Sequence, residues 1–301
     1  MTNQTWSPER IGDLTGRTAY ITGGNSGIGW ETALVLARHG ARVVLAGRSR
    51  AKLDEAAHGL RAAVRNAAVE TSLLDLGSLA SIRTTAAHVA ATETIDWLFN
   101  NAGVMNVPDR RTTTDGFELT FGTNHLGHFA LTAGLLPALL RAEAPRVITV
   151  SAIAGTWRSG RLTDLQSTRR YSAMAAYAKS KRANIVFAQE LARRGSGTKL
   201  TSIAVHPGSA LTNLQRHSTG PISRLVIALT RRAVMGTPEG AAWPSLYAAT
   251  SPDVVNGGFY GPAANNQTAG TPKPVALPKD ADDAGRLWEE SERLTDTKYD
   301  L

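Results

Sequence analysis

The sequence of 301 residues contains no cysteine. Disulfide bonds, thiolate metal ligands and a cysteine nucleophile are therefore excluded. No run of about 18 consecutive apolar residues occurs, so we expect no membrane-spanning helix. The segment 1–8 has neither a basic flank nor an apolar core, which disfavours a secretory signal. We therefore expect a cytoplasmic protein.

Low-complexity linkers and repeats of solenoid length are also missing. With 42% apolar and 19% charged residues, the chain can build one large core. We expect a single domain over residues 1–264, followed by a tail over 265–301. The formal net charge is +8, but the arginines are spread along the chain without a dense patch interleaved with aromatic residues. This distribution disfavours nucleic-acid binding and favours a basic surface with a phosphate-bearing ligand.

A glycine-rich segment follows the first predicted strand, 17–22, and precedes a helical pattern over 30–39. This order of strand, turn and helix lets a pyrophosphate approach the backbone at a helix N-terminus. An ordinary glycine loop is the alternative, and the flanking strand and helix favour the cofactor site. The candidate cofactor-binding residues in this segment are Gly23, Asn25, Ser26, Gly27, Ile28 and Gly29.

Arg48 directly follows the second predicted strand, 42–47. Sites that select NAD usually place a carboxylate near the end of this strand, where it binds the ribose 2′-hydroxyl. A guanidinium instead suits a 2′-phosphate, so the sequence favours NADP(H) as the cofactor. The alternative is that Arg48 merely flanks a helix capped by Ser49.

Further strands are predicted at 68–74, 95–99, 146–150, 200–205 and 258–260, with helices before most of them. Strands that alternate with helices predict an α/β fold, with one doubly wound (Rossmann) domain and a mostly parallel, seven-stranded sheet. Ligands of such folds bind beyond the carboxyl ends of the strands. The candidate cofactor-binding residues at these ends are Asp75, Leu76, Asn101, Ala102, Gly103, Pro207 and Gly208. Asp75 is interpreted either as a partner for the adenine amino group or as the cap of the next helix.

Tyr177 and Lys181 are four residues apart in a helical pattern and therefore share a helix face, whereas Lys179 points away. An isolated tyrosine ionises near pKa ~10, and a neighbouring cation favours the phenolate. The pair therefore predicts an acid–base phenol with a lowered pKa. A chance match is the alternative, because one such spacing is weak on its own.

Several motifs, taken in order, resemble the short-chain dehydrogenase/reductase family, and in particular its retinol-dehydrogenase-type branch. The family motifs are the segment 22–29, Asn100-Asn101-Ala102-Gly103, and Tyr177 with Lys181. The branch resemblance lies in Asp115-Gly116-Phe117-Glu118, Asn124-His125-Leu126-Gly127-His128-Phe129, Asp164-Leu165-Gln166 and Ser180-Lys181-Arg182-Ala183-Asn184. The similarity spans residues 14–260.

The resemblance implies hydride transfer between a nicotinamide and a carbonyl or alcohol. It assigns Tyr177 as the acid–base, and Lys181 as the residue that binds the cofactor ribose and lowers the tyrosine pKa. It assigns Asn124 as the support of a proton-relay water. Family members often form homodimers or homotetramers through the long helices that flank the fifth strand, so we expect a homo-oligomer. His125 and His128 are spaced as possible metal ligands, but the sequence offers no third ligand near them, so we expect no metal site.

One position departs from the family pattern. The serine that orients the substrate in the family falls on Ala152, and Ser151 occupies the position before it. Successive residues near a strand end face opposite sides, so Ser151 on the family's backbone path points away from the substrate. Loss of one donor at a developing oxyanion typically costs about 10²–10³ in rate.

Three interpretations of this departure remain open. Ser151 moves into place through a local bulge and acts as a catalytic residue, or another donor in the segment 156–161 takes its role. In the third interpretation, the chain does not perform the usual redox reaction.

The segment 209–236 is predicted to form the substrate lid, because it follows the Pro207-Gly208 turn at the cofactor end of the sheet. Its apolar residues favour a lipophilic or polycyclic substrate, and a helix packed on the body or on another subunit is the alternative. The tail is predicted to contain a helix over 280–294 that packs on the domain or on a partner subunit. The possible docking face of that helix is Leu287, Trp288 and Ser291.

The leading hypothesis is an NADP(H)-dependent oxidoreductase that acts on a carbonyl or alcohol of a mainly apolar small molecule. The rival hypothesis is a protein that binds NADP(H) with an atypical site and serves as a non-redox cyclase, an isomerase, a scaffold or a sensor. Ala152 supports the rival, whereas the presence of Asn124, Tyr177 and Lys181 opposes simple decay of the site.

Overall fold

The computed structural model describes residues 6–158, 161–208, 237–264, 269–278 and 284–301. Its strands are β1 (Thr18–Thr22), β2 (Arg42–Gly47), β3 (Val69–Leu73), β4 (Trp97–Asn100), β5 (Arg146–Val150), β6 (Thr201–Val205), β7 (Phe259–Ala264) and β8 (Ala269–Pro274). They form one sheet in the order β3-β2-β1-β4-β5-β6-β7-β8. The predicted lid, 209–236, lies outside the described residues.

The sheet is parallel from β3 to β7. Parallel strands covered by helices on both faces are buried throughout, which explains why apolar and β-branched residues dominate them. All five residues of β1 are buried, and so are the last four of β5 and of β6. Neighbouring residues of β1 enter opposite core layers, since Tyr20 packs in one and Ile21 in the other.

The helices are α1 (Gly27–Arg38), α2 (Arg50–Ala63), α3 (Leu79–Thr92), α4 (Leu119–Phe121), α5 (Gly127–Leu140), α6 (Ala173–Arg194), α7 (Pro238–Thr250) and α8 (Ala284–Thr295). A π-helical turn, Gly122–Leu126, joins α4 to α5, and 3₁₀ turns lie at Pro8–Arg10, Ile153–Thr156 and Gly195–Gly197. Helices α1, α2 and α7 cover one face of the sheet, and α3, α5, α6 and α8 contribute to the core on the other. The fold is therefore the predicted doubly wound α/β domain.

The described sheet has eight strands, one more than the seven predicted. The additional strand, β8, pairs antiparallel with β7 at the edge of the sheet. β8 contains Pro272 and Pro274, which lack N–H groups and are therefore tolerated only at an edge or a bulge. The same prolines made this stretch resemble an extended tail in the sequence.

Helix α8 packs against α5 and α6 of its own chain. Leu287, Trp288 and Ser291 are buried there, as expected for the predicted docking face. Self-association through α5 and α6 stays a prediction, and α8 already covers part of that surface. In the described part of the chain, no helix combines the length and apolarity needed to cross a membrane.

Candidate active site

Tyr177 and Lys181 lie on α6, where their spacing of four residues puts them on one face. The Lys181 Nζ atom is 5.8 Å from the centroid of the Tyr177 ring. It donates a hydrogen bond of 3.0 Å to the carbonyl of Val150, the last residue of β5. Lys179 instead turns to the loop before α6, where its ammonium donates to the Asp164 carbonyl. The predicted pair therefore meets at the carboxyl end of β5.

Burial sets the protonation of this pair. Tyr177 is only 8% exposed, and burial raises its pKa well above the ordinary value of 10.0. Burial also lowers the pKa of Lys181 to about 8. The predicted lowering of the tyrosine pKa is therefore not found in the protein alone, because desolvation of the phenolate outweighs an ammonium already bound to Val150. Among the described residues the Tyr177 hydroxyl has no hydrogen-bond partner, so its proton is free for a ligand.

Asn124 lies in the π-helical turn and is fully buried. Its Oδ1 accepts a hydrogen bond of 2.7 Å from the Val104 amide, and its Nδ2 donates to the Val104 carbonyl at 3.0 Å. The same Nδ2 donates to the Ser180 hydroxyl at 3.0 Å. Single π-helical turns inside α-helices occur frequently at functional sites. The side-chain amide of Asn124 thus ties the loop after β4 to the helix that carries Tyr177.

His128 links the same turn to the end of β1. Its Nδ1 is 3.0 Å from the Asn124 carbonyl, and its Nε2 is 2.8 Å from the Thr22 hydroxyl. Burial lowers the pKa of His128 to about 4, so the ring is neutral. A carbonyl only accepts, so Nδ1 carries the proton of this neutral ring, and Nε2 is an acceptor beside the Thr22 hydroxyl, which also lies 3.1 Å from the Phe99 carbonyl. In the described chain His128 and His125 belong to no metal-binding cluster.

Ser151 does not face Tyr177. Its hydroxyl donates to the Lys181 carbonyl at 2.6 Å, and its amide donates to the Val205 carbonyl at 2.6 Å. A serine hydroxyl has one proton, so this group cannot also donate to a substrate. The interpretation of Ser151 as the catalytic donor therefore does not fit the structure. Ala152, by contrast, packs on the apolar cluster that includes Tyr177.

The segment after β5 was the second predicted source of a donor. The Thr156 hydroxyl donates a hydrogen bond of 2.8 Å to the Ile153 carbonyl in the same 3₁₀ turn. Arg182 of α6 clamps this segment, since it donates to the carbonyls of Gly155 and Trp157 at 2.8 Å each. Trp157 is 45% exposed, and residues 159 and 160 lie outside the described residues.

The glycine-rich segment forms a close-packed turn between β1 and α1. The Gly23 amide donates to the Ala46 carbonyl at 2.7 Å. Gly23 and Gly27 have φ values of 66° and 56°, the left-handed region that favours glycine. A Cβ on Gly29 would lie 2.6 Å from the Asn101 Nδ2 atom and from the Gly23 carbonyl oxygen. The turn therefore admits only glycine at positions 23, 27 and 29, and helix α1 begins at Gly27. The predicted residues Asn25, Ser26 and Ile28 lie between these glycines.

The segment after β4 lies against this turn and reaches the catalytic pair. Asn101 donates from its Nδ2 to the Thr22 carbonyl at 2.8 Å, and the amides of Asn101 and Ala102 both donate to the Thr22 hydroxyl oxygen. A Cβ on Gly103 would lie 3.2 Å from the Asn124 Oδ1 atom and 3.5 Å from the Lys181 Nζ atom. The predicted cofactor segment and the catalytic residues thus form one continuous site.

Arg48 is exposed at the end of β2 and forms no ion pair or hydrogen bond with the described residues. Ser49 occupies the N-cap position of α2 that the alternative assigns to it, without a side-chain capping bond. A free guanidinium at this strand end fits a phosphate group.

The remaining predicted residues stand at the ends of β3 and β6. The Asp75 Oδ1 atom accepts from the Gly77 amide at 2.8 Å, whereas Ser78 caps α3. Asp75 is therefore not the cap of that helix. Leu76 is buried against the start of α5. Pro207 and Gly208 follow β6 and are half-buried, and Gly208 has a φ of 74°.

These residues fit a nicotinamide dinucleotide. The turn at Gly23 and Gly29 leaves no room for side chains and presents backbone at the start of α1, which suits a pyrophosphate. Lys181 donates one of its three N–H groups to Val150, which leaves two for a ribose. Arg48 stands free for a 2′-phosphate.

Two contributors were not singled out from the sequence. Thr22 joins β1, the segment after β4 and His128 through one hydroxyl. Ser180 accepts from Asn124 and donates to the Tyr177 carbonyl at 2.8 Å. Both lie inside motifs of the resemblance, but only the fold shows which groups they join.

Residues 17–221 match the family described as short chain dehydrogenase. The chain is 40% identical to Retinol dehydrogenase 13 of Homo sapiens over 296 residues, which covers 93% of this chain and 85% of that protein.

Two solved structures are similar. One is an uncharacterised protein from Mycobacterium paratuberculosis, with a TM-score of 0.80 and 38% identity over 99% of this chain and 100% of that chain. The other is the RhlG/NADP active-site complex of Pseudomonas aeruginosa, with a TM-score of 0.64 and 28% identity over 82% of this chain and 94% of that chain.

Proposed function

Because the chain belongs to the short chain dehydrogenase family, we propose that it is an NADP(H)-dependent oxidoreductase. We further propose that it interconverts a carbonyl and an alcohol of a mainly apolar small molecule. One observation supports this most directly: the Tyr177 hydroxyl beside Lys181 has no hydrogen-bond partner among the described residues, and both residues border the glycine-lined cofactor segments. A nicotinamide bound there would supply or accept the hydride.

The chain's own residues supply the proton. With its pKa raised by burial, Tyr177 is a neutral phenol at pH 7 and is ready to donate to a carbonyl oxygen during reduction. In the oxidative direction the phenolate form takes the proton from the alcohol. Lys181, whose pKa is about 8, is mostly an ammonium at pH 7 and stabilises that phenolate. Asn124 fixes the spacing between α6 and the loop after β4 through its amide.

The choice of NADP(H) rests on Arg48. It is exposed, has no partner in the described part of the chain, and follows β2 at the place where NAD-selective sites hold a carboxylate. The similar RhlG structure carries NADP, which supports the same choice here.

The proposal of an apolar substrate is based on the residues that surround Tyr177. Met105 and Ala152 pack on its cluster, and Met174, one turn earlier on α6, is 43% exposed. The related protein is named for retinol, an apolar alcohol, which supports a substrate of this class.

The test is NADPH oxidation against a panel of aldehydes, ketones and quinones, with the native protein beside Tyr177→Phe. We expect turnover by the native protein and loss of turnover in the variant. If neither protein oxidises NADPH with any compound of the panel while both bind it, the oxidoreductase proposal is wrong. The search then moves to a non-redox reaction.

A further inference from the structure

A hydrogen bond joins the turn that carries Asn124 to the C-terminal helix. The His125 Nε2 atom lies 2.9 Å from the Ser291 Oγ atom of α8. Both residues are 1% exposed. Ser291 contacts neither the predicted cofactor segments nor Tyr177, and the family match ends at residue 221. The bond therefore connects the site to a part of the chain that the family match does not cover.

The direction of this bond is fixed by its neighbours. The Ser291 hydroxyl donates its one proton to the Leu287 carbonyl at 2.7 Å. His125 Nε2 must therefore carry a proton and donate to Ser291. Burial lowers the pKa of His125 to about 3, so the ring is neutral and its Nδ1 has no proton. Nδ1 has no hydrogen bond of ordinary geometry in the described residues, although the Asn184 side chain of α6 is near enough to act on the His125 pKa. Among the described residues, Ser291 therefore makes the one ordinary hydrogen bond to this ring.

Helix α8 has a separate anchor. The centroid of the Trp288 ring lies 5.1 Å from the centroid of the Phe129 ring and 4.5 Å from that of the Tyr299 ring. The Tyr299 hydroxyl donates to the Phe129 carbonyl at 2.7 Å, and the Arg194 guanidinium lies 4.7 Å from the Trp288 ring centroid. These aromatic contacts hold α8 in place without Ser291. Loss of the Ser291 hydroxyl alone should therefore leave the helix docked.

Asn124 and His125 are consecutive residues of the π-helical turn, and their side chains are held from opposite sides. Asn124 is bound by Val104 and Ser180, whereas His125 is bound by Ser291. A π-helical turn is an uncommon conformation that needs support from its surroundings. Support from both sides fixes the rotation of the turn, and with it the amide of Asn124.

We propose that Ser291 is a positioning residue of the active site. Through His125 it holds the π-helical turn in the register that places Asn124 between Val104 and Ser180. This inference rests on the proposed oxidoreductase function for its kinetic consequence. Its structural consequence holds for any reaction at this site.

Thr295 supplies a matched control. It lies one turn further along α8, is fully buried, and donates to the Ser291 carbonyl at 2.7 Å. Thr295→Ala, like Ser291→Ala, removes one buried hydroxyl from the same helix. Only the Ser291 hydroxyl touches His125.

The experiment compares the two variants with the native enzyme in the NADPH oxidation assay. We expect Ser291→Ala to lower kcat by about 10-fold, because small misplacements of an active-site group slow the reaction strongly. Its KM for NADPH should stay within about twofold, since the cofactor segments are untouched. Thr295→Ala should keep both constants near the native values. Equal loss of kcat in the two variants would show that α8 acts only through stability.

A second measurement does not need turnover. Hydrogen–deuterium exchange of the backbone amides of residues 122–128 should become faster in Ser291→Ala and stay native in Thr295→Ala. If exchange in this turn is unchanged by Ser291→Ala, the positioning role is wrong even for an active enzyme. If exchange responds as expected but no substrate is turned over, the positioning role stands and the proposed function fails.

Discussion

The glycine turn at 23–29 and the π-helical turn at Gly122–Leu126 both serve the same site, but they are held in different ways. The glycine turn owes its shape to the left-handed φ values of Gly23 and Gly27 and to close contacts with β2 and the segment after β4, such as Gly29 with Asn101. The π-helical turn and the first turn of α5 are held by side chains far away in sequence. Asn124 bonds to Ser180, 56 residues on, and His128 bonds to Thr22, 106 residues back.

This difference separates binding from catalysis. The glycine turn is set largely by its own backbone conformation, so most side-chain changes elsewhere in the chain should leave it intact. The catalytic region depends on several elements that meet only in the folded domain. We therefore expect mutations to act locally on cofactor binding and more widely on turnover.

The strongest test of the catalytic region is Tyr177→Phe. Loss of a positioned acid–base group should lower kcat by about 10²–10⁴-fold. No described residue hydrogen-bonds to the Tyr177 hydroxyl, so its removal leaves no buried partner unpaired, and thermal unfolding should be nearly native. Tyr171→Phe is the matched control, because that hydroxyl donates to the Val107 carbonyl. Comparable loss of kcat in both variants would contradict the acid–base role.

Ala152→Ser tests the position that departs from the family. Ala152 packs on the cluster of Tyr177, so a hydroxyl there stands near the reacting oxygen. If the native site lacks a donor, kcat should rise by up to about 10²-fold. The same change in a Tyr177→Phe background should give no gain. An unchanged kcat would show that another group already serves as the donor, and activity in the variant alone would favour a non-redox role for the native chain.

The pH dependence of stability tests the burial of Lys181. Its pKa is about 8 in the folded protein against an ordinary 10.5. Between these values the unfolded chain binds more protons, so stability rises with pH over this window. From pH 7 to 9.5, the unfolding free energy of the native protein should gain roughly 2 kcal/mol relative to Lys181→Met. Urea unfolding at each pH measures this difference, and a constant difference would contradict it.

The smallest expected effect is that of a substitution at Arg48 on cofactor binding. Arg48→Ala should weaken NADPH binding by about 10-fold, as expected for loss of one charge-assisted phosphate contact, and leave NADH binding unchanged. Arg50→Ala is the control, because Arg50 is also exposed but donates to the Thr71 hydroxyl. Fluorescence titration gives both dissociation constants. Equal weakening for the two cofactors would remove Arg48 from the 2′-phosphate site.

The sequence was sufficient for most of the sheet, because periodicity and glycine positions are local signals. The strand at Arg146–Val150 matches its predicted range. Strand β8 was missed because Pro272 and Pro274 are typical of loops, and only pairing with β7 makes this stretch a strand.

The candidate site was only partly predictable. Spacing on one helix identified Tyr177 and Lys181, but spacing carries no information about burial, which raises the tyrosine pKa. The role of Ser151 stayed open because a one-residue shift decides where its hydroxyl points, and the fold turns it to the Lys181 carbonyl. The contact of His125 with Ser291 links residues 166 apart, beyond the reach of any local pattern.

The 166 residues that separate His125 from Ser291 also delay their contact while the polypeptide is being synthesised. At a synthesis rate of about 5–20 residues per second, roughly 8–33 s pass between the appearance of His125 and that of Ser291. Once Phe187 has been made, its ring and that of Phe129, which α8 covers in the folded protein, have no Trp288 to pack against until α8 is made. A nascent chain of this protein therefore leaves these aromatic rings without their cover until α8 is made.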